Sequence, residues 1–119
     1  MNDLWTYHAT HKEWTELKTT GQRPTPRSNC TVSYEPQTKQ VVVFGGGGHN
    51  KQRFNTVNIL NWETKVWREV KPKENEFAPW ERTYHVAELS YPYLFVFGGE
   101  GLADMDDLWV FNFQTERWN

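Results

Sequence analysis

The chain of 119 residues holds one cysteine, Cys30. No internal disulfide can form, and a single thiol fits a reducing compartment, the cytoplasm or the nucleus. No apolar run approaches the roughly 20 residues of a membrane-spanning helix. Residues 1–20 lack the profile of a secretory signal. An excess of one charge is missing too: 13 Lys and Arg stand against 15 Asp and Glu, for a formal net charge of −2. Nothing in that balance builds a nucleic-acid or anionic-membrane surface, so neither is expected as a partner. No stretch at helical spacing is long enough to found an amphipathic helix. Apolar residues make up only 37% of the chain, so a core has to be carried by few, large side chains; aromatics at 16%, with seven Trp, can do this.

What is present is a repeat. "DLWTYHATHKEW" (3–14), "TVNILNWETKVW" (56–67) and "DLWVFNFQTERW" (107–118) each set an apolar residue and a Trp apart by six residues. The pairs are Tyr7 and Trp14, Leu60 and Trp67, Phe111 and Trp118. A second element, "QVVVFG" (40–45), returns as "YLFVFG" (93–98), and "PTPRSNC" (24–30) answers "APWERTYH" (78–85), which aligns Arg27 with Arg82. Each unit reads as four short strands rich in β-branched and aromatic residues, bounded by Gly, Pro, Asn and charged residues. The runs before the glycines do not alternate, so both their faces should be covered. Four antiparallel strands repeating at about fifty residues, stacked so that neighbours supply the core, describe the blades of a β-propeller. The expected fold is therefore all-β and open. Residues 3–18 give the last two strands of one blade, 28–71 a full blade, and 82–119 most of a third.

These residues resemble the kelch-repeat family along essentially the whole chain. The glycine doublets Gly45–Gly46 and Gly98–Gly99 close the second strand, and Leu60/Trp67 and Phe111/Trp118 follow at the family's spacing. The upstream element appears as Pro24, Arg27, Cys30 and as Pro79, Arg82, His85. Cys30 stands where His is usual, Leu60 where Tyr is usual, and Gly47–Gly48 extend the first doublet. The resemblance implies a structural role for Arg27 and Arg82, bonding strand carbonyls or a neighbouring blade. Trp14, Trp67 and Trp118 occupy the family's structural Trp position. Trp14 and Trp67 are expected to be buried between blades, with Trp62 and Trp80 more exposed.

The four glycines at 45–48 could be taken for an anion-binding loop. That chemistry needs a helix N-terminus directly after, whereas "HNKQRFNTVNIL" reads as loop and strand. Gly45 and Gly46 are instead expected to serve backbone geometry or close blade packing, and Gly47 and Gly48 to lengthen the loop. His8 and His11 lie in a polar turn without a third metal ligand in view. The acids Glu100, Asp104, Asp106 and Asp107 lack the spacing of a calcium loop. Glu100 and Asp104 fit two positions of an E-x3-D-x3-H iron motif found in some plant kelch proteins, but Leu108 fills the third. No cofactor or metal is expected.

The parity of a four-stranded meander sends the loops after second strands and the blade-to-blade connections to one face. That face collects 15–28, 46–54, 69–82 and 99–106, and binding residues concentrate on such loops. The candidate partner contacts are His49, Lys51, Arg53, Phe77, Trp80, Glu100 and Asp104. The resemblance implies a protein-interaction scaffold that binds protein partners through this face, without catalysis of its own. The alternative is part of a kelch-type enzyme, a metal-dependent oxidase or a sugar isomerase. Further blades from a longer parent chain, or a homo-oligomer, are expected to complete the ring, and a longer parent is the preferred of the two.

Overall fold

The computed structural model describes residues 1–119 and contains strands only, without a helix. Strands β1 (Leu4–His8) and β2 (Glu13–Leu17) form a separate hairpin. A five-stranded sheet follows, in the order β3 (Thr20–Gly21), β7 (Val66–Val70), β6 (Val57–Asn61), β5 (Gln40–Phe44), β4 (Thr31–Glu35). The last sheet runs β11 (Arg117–Trp118), β10 (Asp104–Asn112), β9 (Tyr93–Glu100), β8 (Val86–Ser90). Every pairing is antiparallel except β3 with β7. The array measures 45 × 33 × 25 Å and does not close.

Strand β5 shows why its sequence does not alternate. Val42 and Phe44 point into a cluster with Val57 and Ile59 and, from the last sheet, Leu94, Val96, Phe111, Phe113 and Trp118. Val41 and Val43 point the other way, to Leu60 and Trp67, with Leu4 of the first hairpin packed on them. Each such buried side chain contributes about 1.5–3 kcal/mol. In β9 the same sequence pattern has a different outcome. Leu94 and Val96 are buried against the central sheet, but Phe97 is 51% exposed because nothing covers the far face.

The polar turns repeat in detail. In "NWETK" the Asn61 Oδ1 accepts from the amides of Glu63 and Thr64, and in "NFQTE" Asn112 does the same for Gln114 and Thr115. Lys65 and Glu116 then take the same left-handed backbone conformation, φ 59° and 57°. Side-chain capping of this kind makes Asn the natural turn opener.

Three expectations need correction. Trp14 is 66% exposed, because β2 pairs only with β1 and its ring neighbour is Tyr7, 5.0 Å away. Residues 99–106 are not a loop: β9 runs on to Glu100 and β10 starts at Asp104, with a register shift between Met105 and Leu108. Gly47 does more than lengthen its loop, since it bridges both Ser28 and Arg53. Trp67 and Trp118 are buried at 6% and 5% exposure, Trp62 is half-buried under the Lys65 ammonium, and Trp80 is exposed.

Candidate functional site

The loop between β5 and β6, the connection between β7 and β8 and the β9–β10 hairpin meet on one face. Backbone bonds lock them together. The amide of Gly46 donates to Arg82 O at 2.9 Å, that of Phe54 to Gly46 O at 2.9 Å, and that of Arg82 to Phe54 O at 3.1 Å. Thr83 and Glu100 exchange both of their backbone bonds, at 2.8 and 2.7 Å. The glycines permit this closeness. Gly45 has φ +66°, and a Cβ there would stand 2.7 Å from His85 Cε1; Gly46 has φ +95°, and a Cβ there would meet Cys30 Cβ and Ser28 O at 2.8 Å. Gly98 and Gly99 repeat the two conformations.

Beneath the loops, the two arginines anchor the turns into their sheets. Arg82 is fully buried. It donates to Gly98 O at 2.9 Å, to Trp80 O at 3.0 Å, and by both terminal nitrogens to the Asp107 carboxylate at 2.6 and 3.0 Å. The bidentate guanidinium holds Asp107 down at a pKa of about 2, helped by the Trp109 indole N–H. Arg27 repeats the bond to its own doublet, Gly45 O at 3.2 Å, but meets no carboxylate. Its other acceptors are Thr25 O, Thr25 Oγ1, Thr56 Oγ1 and Asn58 Oδ1. Its guanidinium lies 3.9 Å over the Phe54 ring, and burial pulls its pKa down.

His85 sits between the central and last sheets, 6% exposed. Its Nε2 shares a 3.0 Å hydrogen bond with Thr31 Oγ1, its ring meets Phe44 edge-on at 5.1 Å, and Nδ1 has no partner. Burial first, and the Arg82 charge second, push its pKa down to about 4, so the ring is neutral at pH 7. His8 and His11 stack at 4.4 Å in their exposed turn. No three His, Cys, Asp or Glu residues come close enough together to hold a metal ion.

The converging loops enclose a groove of about 670 Å³. Of the sequence-derived candidates, Lys51, Arg53 and Trp80 line it. Glu100 stands at its margin, paired with Arg53 at 3.2 Å. His49 and Asp104 are exposed outside the lining, and Phe77 turns to Trp109, 4.7 Å away. Phe54, Lys71 and Leu102 also line the groove and were not among the candidates. Leu102 is 95% exposed. A large apolar residue at the tip of the glycine-bearing "GGEGLADM" hairpin was the signal that could have marked it.

Four-stranded antiparallel sheets, stacked through apolar faces and each turned by a glycine doublet over an arginine, define propeller blades. The family model described as the KLHDC2/KLHL20/DRC7 Kelch-repeats domain matches residues 1–119, and the chain belongs to the kelch-repeat family. Relatives include dynein regulatory complex subunit 7 of Chlamydomonas reinhardtii, 29% identical over 102 residues that make up 86% of this chain and 9% of that protein. Acyl-CoA-binding domain-containing protein 4 of Arabidopsis thaliana is 32% identical over 108 residues, 89% of this chain and 16% of that protein. Kelch domain-containing protein 10 of Homo sapiens is 28% identical over 123 residues, 98% of this chain and 27% of that protein. The chain thus spans less than a third of the length of these relatives. Repeats of this family typically serve protein interaction.

Proposed function

We propose that the chain is a protein-interaction module whose partner docks in the groove on the loop face, without catalysis of its own. The observation that carries this reading is the pairing of a rigid, backbone-bonded loop cluster with two freely presented apolar side chains, Trp80 at 69% and Leu102 at 95% exposure. Such anchors are what an interface needs at its centre. The buried ionisable groups that could do chemistry are committed elsewhere: Arg82 to Asp107, His85 to the packing of two sheets, and Glu35 to the amide of Gln37 in its own turn. The proposed setting is the interior of the cell, in the cytoplasm or nucleus, with a protein as the partner.

Further blades are proposed to cover the open faces. Under the repeat, Phe44 and Val57, buried at 1% and 0%, correspond to Phe97 and Leu108, exposed at 51% and 61%. The same apolar pattern that the last sheet covers on the central sheet lies bare on the last sheet itself. The test of the docking site is capture of a partner from cell extract by the wild-type chain and by Trp80→Ala and Leu102→Ala. The expected result is one partner lost from both variants, while a substitution on the opposite turns, Gln37→Ala, keeps it. Equal capture by all four proteins would overturn the groove assignment.

A further inference from the structure

The chemistry of the partner can be taken one step further, on the reading of the groove as its docking site. Two cations at this site meet no carboxylate. Lys51, on the lining, and Arg27, behind it, take part in none of the chain's ion pairs. Arg27 reaches the groove through its neighbours: it stacks on Phe54 and donates to Thr56 Oγ1 at 3.2 Å, and both residues line the groove. The repeat shows what is missing. Arg82 is neutralised by Asp107, and the residue that the repeat places at Asp107 in the central sheet is Thr56.

The other charges reduce this surplus without removing it. Arg53 and Lys71 on the lining pair with Glu100 and Glu69, which lie outside it, each at 3.2 Å. Glu69 also accepts from the Asn58 amide at 3.3 Å, and its charge bears on Arg27 from beyond ion-pair distance. Glu81 is the one acid on the lining, against Lys51, Arg53 and Lys71.

We propose that the groove takes an extended segment of a protein partner that carries acidic side chains beside a large apolar one. Its carboxylates complement Lys51, with Arg27 adding positive potential from behind the groove wall, and its apolar side chain packs on Trp80 and Leu102. Opposite charge steers and orients such a segment, and the apolar anchor supplies the contact that lasts.

The test is selection of a phage-displayed random peptide library on the whole 119-residue chain, followed by binding measurements on the enriched peptides. The expected peptides carry Asp or Glu next to Leu, Phe or Trp. Their affinity falls as salt is raised and drops by about fivefold or more in Lys51→Glu. Thr56→Asp, which gives Arg27 the internal carboxylate that Arg82 already has, should weaken the same peptides. Lys51 is exposed, so the Glu variant keeps the test decisive even if the buried Thr56 variant fails to fold. Enrichment of basic or uncharged peptides, no enrichment at all, or indifference to Lys51→Glu would overturn the proposal. The failures are separable. Peptides lost in Trp80→Ala but indifferent to charge overturn only the acidic chemistry, whereas peptides that bind Trp80→Ala undiminished overturn the groove as the site.

Discussion

Acidification should loosen the contact between the central and last sheets through one side chain, His85. The buried, neutral ring has a pKa of about 4, against an ordinary value of 6.5 in the unfolded chain. Below pH 6.5 the unfolded chain takes up a proton that the folded chain refuses. Its contribution to stability is therefore complete above pH 6.5, is lost as pH falls from 6.5 to 4, and changes no further below that. Between pH 7.5 and 5 the loss comes to about 2 kcal/mol, or about 1 kcal/mol if water at the open edge of the interface screens half of it. At roughly 4 °C per kcal/mol, the melting temperature should fall by about 4–8 °C. The assay is thermal and urea unfolding at half-unit pH steps, on the wild type and on His85→Cys. Cysteine is what the central sheet itself carries at the equivalent position, Cys30. The variant should lack this part of the pH dependence. A wild-type stability that stays level from pH 7.5 to 5, or a variant that loses as much, would refute the reasoning.

Asp107→Ala strands a guanidinium with no exposure of its own; because the Asp107 carboxylate is itself 41% exposed, the expected loss is about 2 kcal/mol rather than the larger cost of a fully buried pair, measured by urea unfolding. Since Asp107 is held at a pKa of about 2, its contribution persists at neutral pH, declines once pH falls below the ordinary carboxylate value, and is gone below about 2, so Asp107→Ala and wild type should converge there. Gly45→Val forces a β-branched side chain into a left-handed backbone and onto His85, and soluble yield should collapse; Gly48→Ala meets only the flexible end of Gln52 and the Phe54 ring edge and should melt close to wild type. Trp67→Ala should cost about 3–5 kcal/mol and Trp14→Ala under 1 kcal/mol, a contrast that equal shifts in urea midpoint would contradict.

The repeat was legible because it depends on local chemistry. The doublets, the Asn-opened turns and the Trp spacing each serve a local geometric need, so their recurrence reports the sheets directly. Phe44 and Phe97 mark where that legibility stops. They sit in matching runs, yet one is buried and the other open, because burial depends on which sheet stands alongside and not on the run itself. Trp14 fails for the same reason. At the site, the face was readable from strand parity, and Lys51, Arg53 and Trp80 fell on its groove. Phe77 did not: it is 72% exposed, but its ring lies against Trp109 and outside the lining, and Leu102 carries no mark in an acidic stretch whose hairpin form only the structure shows. The difference between Arg27 and Arg82 was only half legible: the repeat aligns Thr56 with Asp107, but the structure is what shows these two residues to be the partners of the arginines.

The partner is proposed to dock on the face that gathers the β5–β6 loop, the β7–β8 connection and the β9–β10 hairpin. The most direct test is site-specific photocrosslinking, with benzoylphenylalanine placed in turn at Leu102 on that face and at Gln37 in the β4–β5 turn on the opposite one. The expected result is a protein adduct from position 102 and none from 37; an adduct from 37 alone, or from both with equal yield, would place the docking surface elsewhere.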